Sequence, residues 1–132
     1  MKKVSLDVIV RSTEIDVNAH VNNAKFVEYL EWGREEWYDR NDLGYDRLKA
    51  LGATTVTVNV DVNYRKECGQ GEVLTILTRP GRLGRTSFVF DQEIRKADGS
   101  VAVDAKVTLV TIDPESRRPR VVPDELGAAL TA

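Results

Sequence analysis

The stretch Ile15-Asp16-Val17-Asn18-Ala19-His20-Val21-Asn22-Asn23 joins two regions of the chain that have different hydrophobic periods. Before it, Leu6, Val8 and Val10 alternate with Asp7, Ile9 and Arg11, which indicates the two-residue period of a strand. After it, between Phe26 and Trp37, apolar residues recur at i, i+4, i+7 and i+11, which is the period of a helix. The junction places a carboxylate, the only histidine and an asparagine pair between a strand and a helix.

The helix has a start signal and a predicted close contact. Asn22 or Asn23 is the predicted N-cap, because an asparagine side chain accepts hydrogen bonds from the first free N–H groups of a helix. Gly33 lies on the apolar stripe, where glycine costs about 1 kcal/mol relative to alanine. Its missing side chain could let the helix lie close on a sheet. The helix is predicted to end at Asn41–Gly44, with a short helical piece at Asp46–Leu51.

Strands dominate the rest of the chain. From Val56 to Arg65, valines and a tyrosine alternate with polar residues, which predicts a strand with one apolar face. Further strands are predicted at 73–78, 86–96 and 101–112, with a weak helical piece at 124–130. The order predicts a single α+β domain over residues 1–132, with a long helix packed on a five-stranded, mostly antiparallel sheet. One helix cannot cover both sheet faces, so an exposed edge or the second face is expected to mediate self-association.

Composition excludes several classes of function. The chain has 132 residues and a net charge of −2, so no bulk positive field favours nucleic acid or an anionic membrane. A single cysteine excludes an intrachain disulfide, and one histidine with one cysteine excludes a His/Cys metal cluster. Asp7 interrupts the N-terminal stretch Met1–Asp7, which therefore lacks the apolar core of a signal peptide. We expect a cytoplasmic protein that uses no metal or cofactor.

The pattern Asp16-x-x-x-His20-Val21-Asn22-Asn23-x-x-Phe26, directly after a first strand, resembles the hotdog-fold acyl-CoA thioesterases of the 4-hydroxybenzoyl-CoA thioesterase type. The resemblance covers nearly the whole chain. It continues through the Val56–Arg65 strand, Gly71-Glu72-x-Leu74, Ser87-x-x-Phe90, the Asp98-Gly99 hairpin and the segment from Pro119 to Pro123. It implies a hotdog fold, hydrolysis of an acyl-CoA to a free acid and CoA, and a homodimer or a tetramer built from two dimers.

The resemblance also implies site roles. Asp16 would be the nucleophile or the general base, and the backbone N–H near Asn23 would polarise the thioester carbonyl. His20 and Asn22 could tune Asp16 or contact the substrate. Many family members have glycine immediately before the position of His20, where this chain has Ala19. Because alanine disfavours a positive φ angle, the turn is expected to differ in detail.

The candidate substrate-binding residues are mostly basic. Coenzyme A carries several phosphate charges, and the planar guanidinium of arginine binds phosphates well. Arg82 and Arg85 lie in a glycine-flanked loop, Ser87 begins the next predicted strand, and Arg118 lies in the basic segment near the C-terminus. These four residues are the predicted contacts for an acyl-CoA.

Two other functions remain open at this point. A hotdog hydratase or dehydratase would use Asp16 and His20 as an acid–base pair on an enoyl-CoA. A non-catalytic acyl-CoA-binding module, or a purely structural dimer, would need neither group for chemistry. The sequence leaves the acyl group, the choice between nucleophile and general base, and the choice between dimer and tetramer undetermined.

Overall fold

A computed structural model describes residues 3–132; Met1 and Lys2, the start of the N-terminal stretch considered above, lie outside the described residues. The elements are β1 (Val4–Ile9), a 3-10 turn (Ser12–Glu14), α1 (Asn23–Arg40), α2 (Tyr45–Ala50), β2 (Thr54–Tyr64), β3 (Val73–Leu83), β4 (Ser87–Arg95), β5 (Val101–Ile112) and α3 (Asp124–Thr131). The five strands form one sheet in the order β1-β3-β4-β5-β2. Every neighbouring pair is antiparallel, and the predicted α+β class is confirmed.

Helix α1 packs along one face of the sheet. The predicted apolar stripe is confirmed, since Phe26, Leu30 and Trp37 are all buried. A Cβ atom built on Gly33 would lie only 2.5 Å from Ile76 Cγ2 on β3, so glycine lets the helix approach the sheet closely. The N-terminal half of α1 belongs to one hydrophobic cluster, and Trp37 belongs to a second cluster that α3 closes with Leu126 and Leu130.

A buried polar network also joins α1 to the sheet. Gln92 on β4 donates from Nε2 to the Leu30 carbonyl at 2.9 Å and to Thr78 Oγ1 at 2.8 Å. Gln92 Oε1 accepts a hydrogen bond from Arg34 Nη1 at 3.1 Å. Burial lowers the pKa of the Arg34 guanidinium. Moving the helix away from the sheet would leave these buried polar groups without hydrogen-bond partners, which costs free energy. The network therefore fixes the distance between α1 and the sheet.

Strand β2 departs from its predicted pattern. A register shift between Thr57 and Asn59 leaves Val58 without a paired residue on β5. Because a bulge inserts one residue, the alternation changes phase there. Val56 pairs with Val110 and faces away from α1, whereas Val60 pairs with Val107 on the helix side. The prediction of one continuous apolar face is therefore wrong at Val56.

Strand β2 is also an edge of the sheet, because among residues 3–132 it pairs with β5 alone. The exposed fractions of Val58, Val60 and Tyr64 are 57%, 40% and 49%. Unpaired backbone groups and apolar side chains on an edge strand are typical of a surface that pairs with another chain. Within residues 3–132, no helix is both long enough and apolar enough to cross a membrane.

Candidate active site

The loop between β1 and α1 is a closed turn. Ile15 and Val21 form an isolated antiparallel bridge at its base. Inside it, the Asp16 N–H donates to the His20 carbonyl and the Ala19 N–H donates to the Asp16 carbonyl, both at 3.0 Å. The Val21 N–H donates to the Cys68 carbonyl at 2.8 Å, which ties the turn to the segment after β2. The backbone around Asp16 is thus held by hydrogen bonds inside the turn and by one hydrogen bond to the segment after β2.

Ala19 adopts a left-handed backbone conformation, with φ of 64°. Many members of the family that the sequence resembles have glycine at this position. Here an alanine adopts the backbone conformation that glycine takes readily. Left-handed geometry costs an L-residue with a Cβ atom roughly 1–2 kcal/mol. The turn therefore contains local strain that the surrounding hydrogen bonds maintain.

We expect the replacement Ala19→Gly to raise the free energy of unfolding by about 1 kcal/mol, because glycine adopts this conformation without the Cβ clash. The measurement is urea denaturation followed by circular dichroism. Ala128→Gly, at an exposed position inside α3, is the matched control and should instead lower stability by up to about 1 kcal/mol. Equal destabilisation by both variants would contradict a strained turn.

The Asp16 carboxylate lies beside a cavity of about 340 Å³. Its Oδ1 accepts a hydrogen bond from the Asn18 N–H at 2.9 Å, which orients the carboxylate. The second oxygen, Oδ2, has no hydrogen-bond partner among residues 3–132. The cavity is lined by Asp16, His20, Val21 and Asn23 from the turn and the helix start, and by Tyr64, Arg65, Lys66 and Glu67 from the end of β2.

The start of α1 also faces this cavity. Asn22 is the N-cap, because its Oδ1 accepts from the Ala24 N–H at 2.8 Å and its carbonyl accepts from Lys25 at 2.9 Å. Asn23 is the first helical residue, and its N–H has no acceptor within the described residues. A free N–H at this position carries the partial positive charge of the helix dipole. Asp16 and Asn23 therefore line the same cavity, whereas the Asn22 side chain serves as a cap.

His20 lies at the wall of the cavity but does not pair with Asp16. Its Nδ1 is 3.5 Å from the Val21 carbonyl oxygen, and its Nε2 is 3.6 Å from Glu67 Oε2. Neither ring nitrogen forms a hydrogen bond with Asp16 in the described part of the chain. Within the described residues, His20 therefore contacts Val21 and Glu67 and not Asp16.

The other four predicted residues lie elsewhere. Ile9 pairs with Val73, so the Asp16 turn lies near the beginning of β3, whereas Arg82 and Ser87 lie at the end of β3 and the start of β4. The 11 residues of β3 span roughly 30 Å, which separates the two ends of the sheet. Arg85 lies in the loop between β3 and β4, and Arg118 follows β5. Both residues therefore belong to the same distant end. One chain does not bring these residues to the cavity.

Sequence reasoning missed the two basic residues that line the cavity, Arg65 and Lys66. Arg65 Nε is 2.7 Å from Asp104 Oδ2, and this pairing raises the pKa of Arg65. Lys66 has no ion pair in the described part of the chain. The sequence signal for these residues was their position directly after β2, whose last residues lie at the same end of the sheet as the turn. Residues 3–132 contain no group of three or more side chains placed to bind a metal ion.

Comparison with known proteins gives the class. Residues 10–130 match the thioesterase-like superfamily, so the chain belongs to that superfamily. It is 32% identical over 122 residues to the long-chain acyl-CoA thioesterase FadM of Escherichia coli K12, covering 92% of each chain. The crystal structure of YbaW, a probable thioesterase from Escherichia coli, superposes with a TM-score of 0.82 at 30% identity, over 96% of this chain and 95% of that chain.

A more distant structure shows the same fold. A 1,4-dihydroxy-2-naphthoyl-CoA thioesterase from Synechocystis superposes with a TM-score of 0.89 at 17% identity, over 98% of this chain and 96% of that chain. Taken with the family match, the protein is a member of the hotdog-fold acyl-CoA thioesterases, as the sequence resemblance predicted.

Proposed function

We propose that this enzyme hydrolyses an acyl-CoA thioester with the Asp16 carboxylate and the Asn23 N–H acting on the same carbonyl group. The observation that carries the proposal is that two residues line one cavity: Asp16, whose oriented carboxylate has one free oxygen, and Asn23, whose helix N-terminal N–H is unpaired. Thioester hydrolysis needs an oxygen nucleophile and a group that stabilises the developing oxyanion. These two groups supply both requirements.

Two routes use the same residues. In the covalent route, Asp16 Oδ2 attacks the thioester carbon, the oxyanion is stabilised by the Asn23 N–H, and the C–S bond breaks to release CoA thiolate. Water then hydrolyses the resulting mixed anhydride and regenerates the carboxylate. In the general-base route, Asp16 accepts a proton from a water molecule that attacks the thioester carbon directly, the C–S bond breaks to release CoA thiolate, and the proton passes from Asp16 to that thiolate or to solvent. Each route consumes one water and yields one acid and one CoA.

The proposed assembly is a homodimer, or a tetramer of two dimers, paired through β2. Antiparallel pairing of β2 with its copy would place the beginning of the partner's β2 beside Tyr64, at the Asp16 cavity. The partner's Arg82, Arg85, Ser87 and Arg118 lie at that end of its sheet, so we propose that they contact the CoA moiety from the second subunit. The exposed apolar residues of β2 support this arrangement. A monomeric mass by light scattering would contradict it.

We expect Lys66→Ala to raise KM for acyl-CoA about three- to tenfold while kcat changes little, because an unpaired cation at the cavity would bind CoA phosphate before and during reaction. The effect should shrink at high ionic strength, since exposed charges are screened. Lys106→Ala, on the sheet face away from α1, is the matched control. The same KM shift in both variants would remove Lys66 from the binding site.

The test of the function is a thiol-release assay on a panel of acyl-CoAs. The panel begins with long-chain esters, because FadM is a long-chain acyl-CoA thioesterase, and extends to short-chain and aromatic esters. Stoichiometric free thiol and free acid would support hydrolysis. Hydration of an enoyl-CoA without thiol release would favour the Asp16–His20 hydratase alternative, although these two side chains form no hydrogen bond in the described residues. Binding without turnover would favour the non-catalytic acyl-CoA-binding module. Cytoplasmic localisation stays a prediction.

A further inference from the structure

We propose that Glu14 is a positioning residue that holds the Asp16 turn and the N-terminus of α1 at a fixed separation, through a hydrogen bond to Tyr29. This inference rests on the proposed function, because the separation matters only if Asp16 and the Asn23 N–H act on one carbonyl group. Neither Glu14 nor Tyr29 lines the cavity. Their effect would therefore be transmitted through the backbone.

Glu14 accepts three hydrogen bonds, from Arg11, Asn22 and Tyr29. Its Oε1 accepts from the Tyr29 hydroxyl at 2.6 Å and from the Arg11 N–H at 2.9 Å. Its backbone carbonyl accepts from the N–H of Asn22, the N-cap of α1, at 3.0 Å. One residue thus joins the segment that follows β1, the interior of α1 and the N-cap of α1.

Tyr29 is a rigid anchor for this contact. Its side chain is fully buried, with an exposed fraction of 0%. Its ring packs edge-on against Phe26, with centroids 6.2 Å apart, and lies 5.3 Å from Trp32. Burial, and then the hydrogen bond to Glu14, raises the pKa of Tyr29, so its hydroxyl stays protonated and remains a donor. A short bond from a neutral donor to a carboxylate is among the stronger protein hydrogen bonds.

The position of these contacts in the chain explains their proposed role. Glu14 lies just before the turn and Asn22 just after it, so their backbone bond closes the turn outside the Ile15–Val21 bridge. Asp16 lies inside this closure, and Asn23 follows directly after it. If the Glu14–Tyr29 bond is lost, the turn can move relative to α1 while every group in the cavity is retained. A displacement of about 1 Å at reacting groups can lower a rate by about 100-fold.

The test compares the steady-state kinetics of Tyr29→Phe and Glu14→Ala in the intact enzyme. We expect each to lower kcat about 10- to 100-fold with KM within about twofold, because alignment and not binding is lost. Glu14→Gln keeps an acceptor oxygen and should restore kcat to within about threefold of the wild type. The double variant should be no slower than Glu14→Ala, because both changes break the same bond.

Tyr38→Phe is the matched control. It removes another hydroxyl hydrogen bond of α1, to Thr55 at 3.0 Å, but near the opposite end of the helix. An equal loss of kcat in this variant, or unchanged kcat in Tyr29→Phe, would overturn the role of Glu14. Tyr29→Phe is nearly isosteric, so it provides a result even if Glu14→Ala fails to fold. Full turnover by Asp16→Asn would instead refute the proposed function, which distinguishes the two failures.

Discussion

Asp16→Asn is expected to lower kcat by about 10²–10⁴-fold, the range that general acid–base catalysis contributes, and by more if Asp16 is the nucleophile. Asparagine has nearly the shape of aspartate, and its amide oxygen can accept the Asn18 N–H bond that now orients Oδ1. The amide cannot attack a thioester as a carboxylate does, nor can it accept a proton from water. We therefore expect KM to stay within a few-fold of the wild-type value.

The measurement is thiol release under saturating acyl-CoA, with binding of a non-hydrolysable CoA analogue measured by calorimetry. Asp124→Asn, an exposed carboxylate in the first turn of α3, is the control and should leave kcat unchanged. If Asp16→Asn turned over at the wild-type rate, neither carboxylate route could be correct. A single turnover in ¹⁸O-labelled water that places label on Asp16 would identify the covalent route.

The second large effect concerns stability. Gly33→Ala is expected to lower the free energy of unfolding by about 2–3 kcal/mol, because it overpacks a tight contact between the helix and the sheet. The new Cβ atom would lie 2.5 Å from Ile76 Cγ2, 2.8 Å from Thr78 Oγ1 and 3.1 Å from Gln92 Nε2. The helix can relieve these contacts only by moving away from β3 and β4, which would also disturb the hydrogen bonds of Gln92.

The matched control is Gly127→Ala in α3, where a Cβ atom would meet nothing within 4 Å. There, the better helix propensity of alanine should raise stability by up to about 1 kcal/mol. Urea denaturation of both variants measures the contrast. Wild-type stability in Gly33→Ala would mean that the helix and the sheet are free to separate, contrary to the close contact seen here.

The elements that could be predicted from the sequence depend on local properties of the chain. The boundary at Asn22–Asn23, the buried stripe of α1 and the alternation of β5 follow from side-chain periods and from capping, which involve neighbouring residues only. The sequence also predicted that Asp16 and the start of the helix belong to one candidate site, since only a short turn separates them. The predicted class and turn therefore follow from local patterns, whereas the family came from the resemblance of nearly the whole chain to known thioesterases.

Tertiary structure decided the features that join distant segments. The bulge at Val58 moved Val56 to the outer face, because the pairing partner on β5 and not the alternation of β2 determines the phase. Lys66 reached the Asp16 cavity, and the Glu14–Tyr29 bond formed across 15 residues, only because the sheet and α1 brought these segments together.

The sequence by itself thus determined the order of strands and helix and the turn that carries Asp16, since both are encoded in short-range patterns, and its resemblance to a known family indicated the hotdog fold. Only the tertiary structure decided which cations line the cavity, how closely Gly33 lets the helix approach the sheet, and which buried contacts hold Asp16. Those features depend on packing between residues far apart in the chain, and packing is a property of the folded surfaces that no local period specifies.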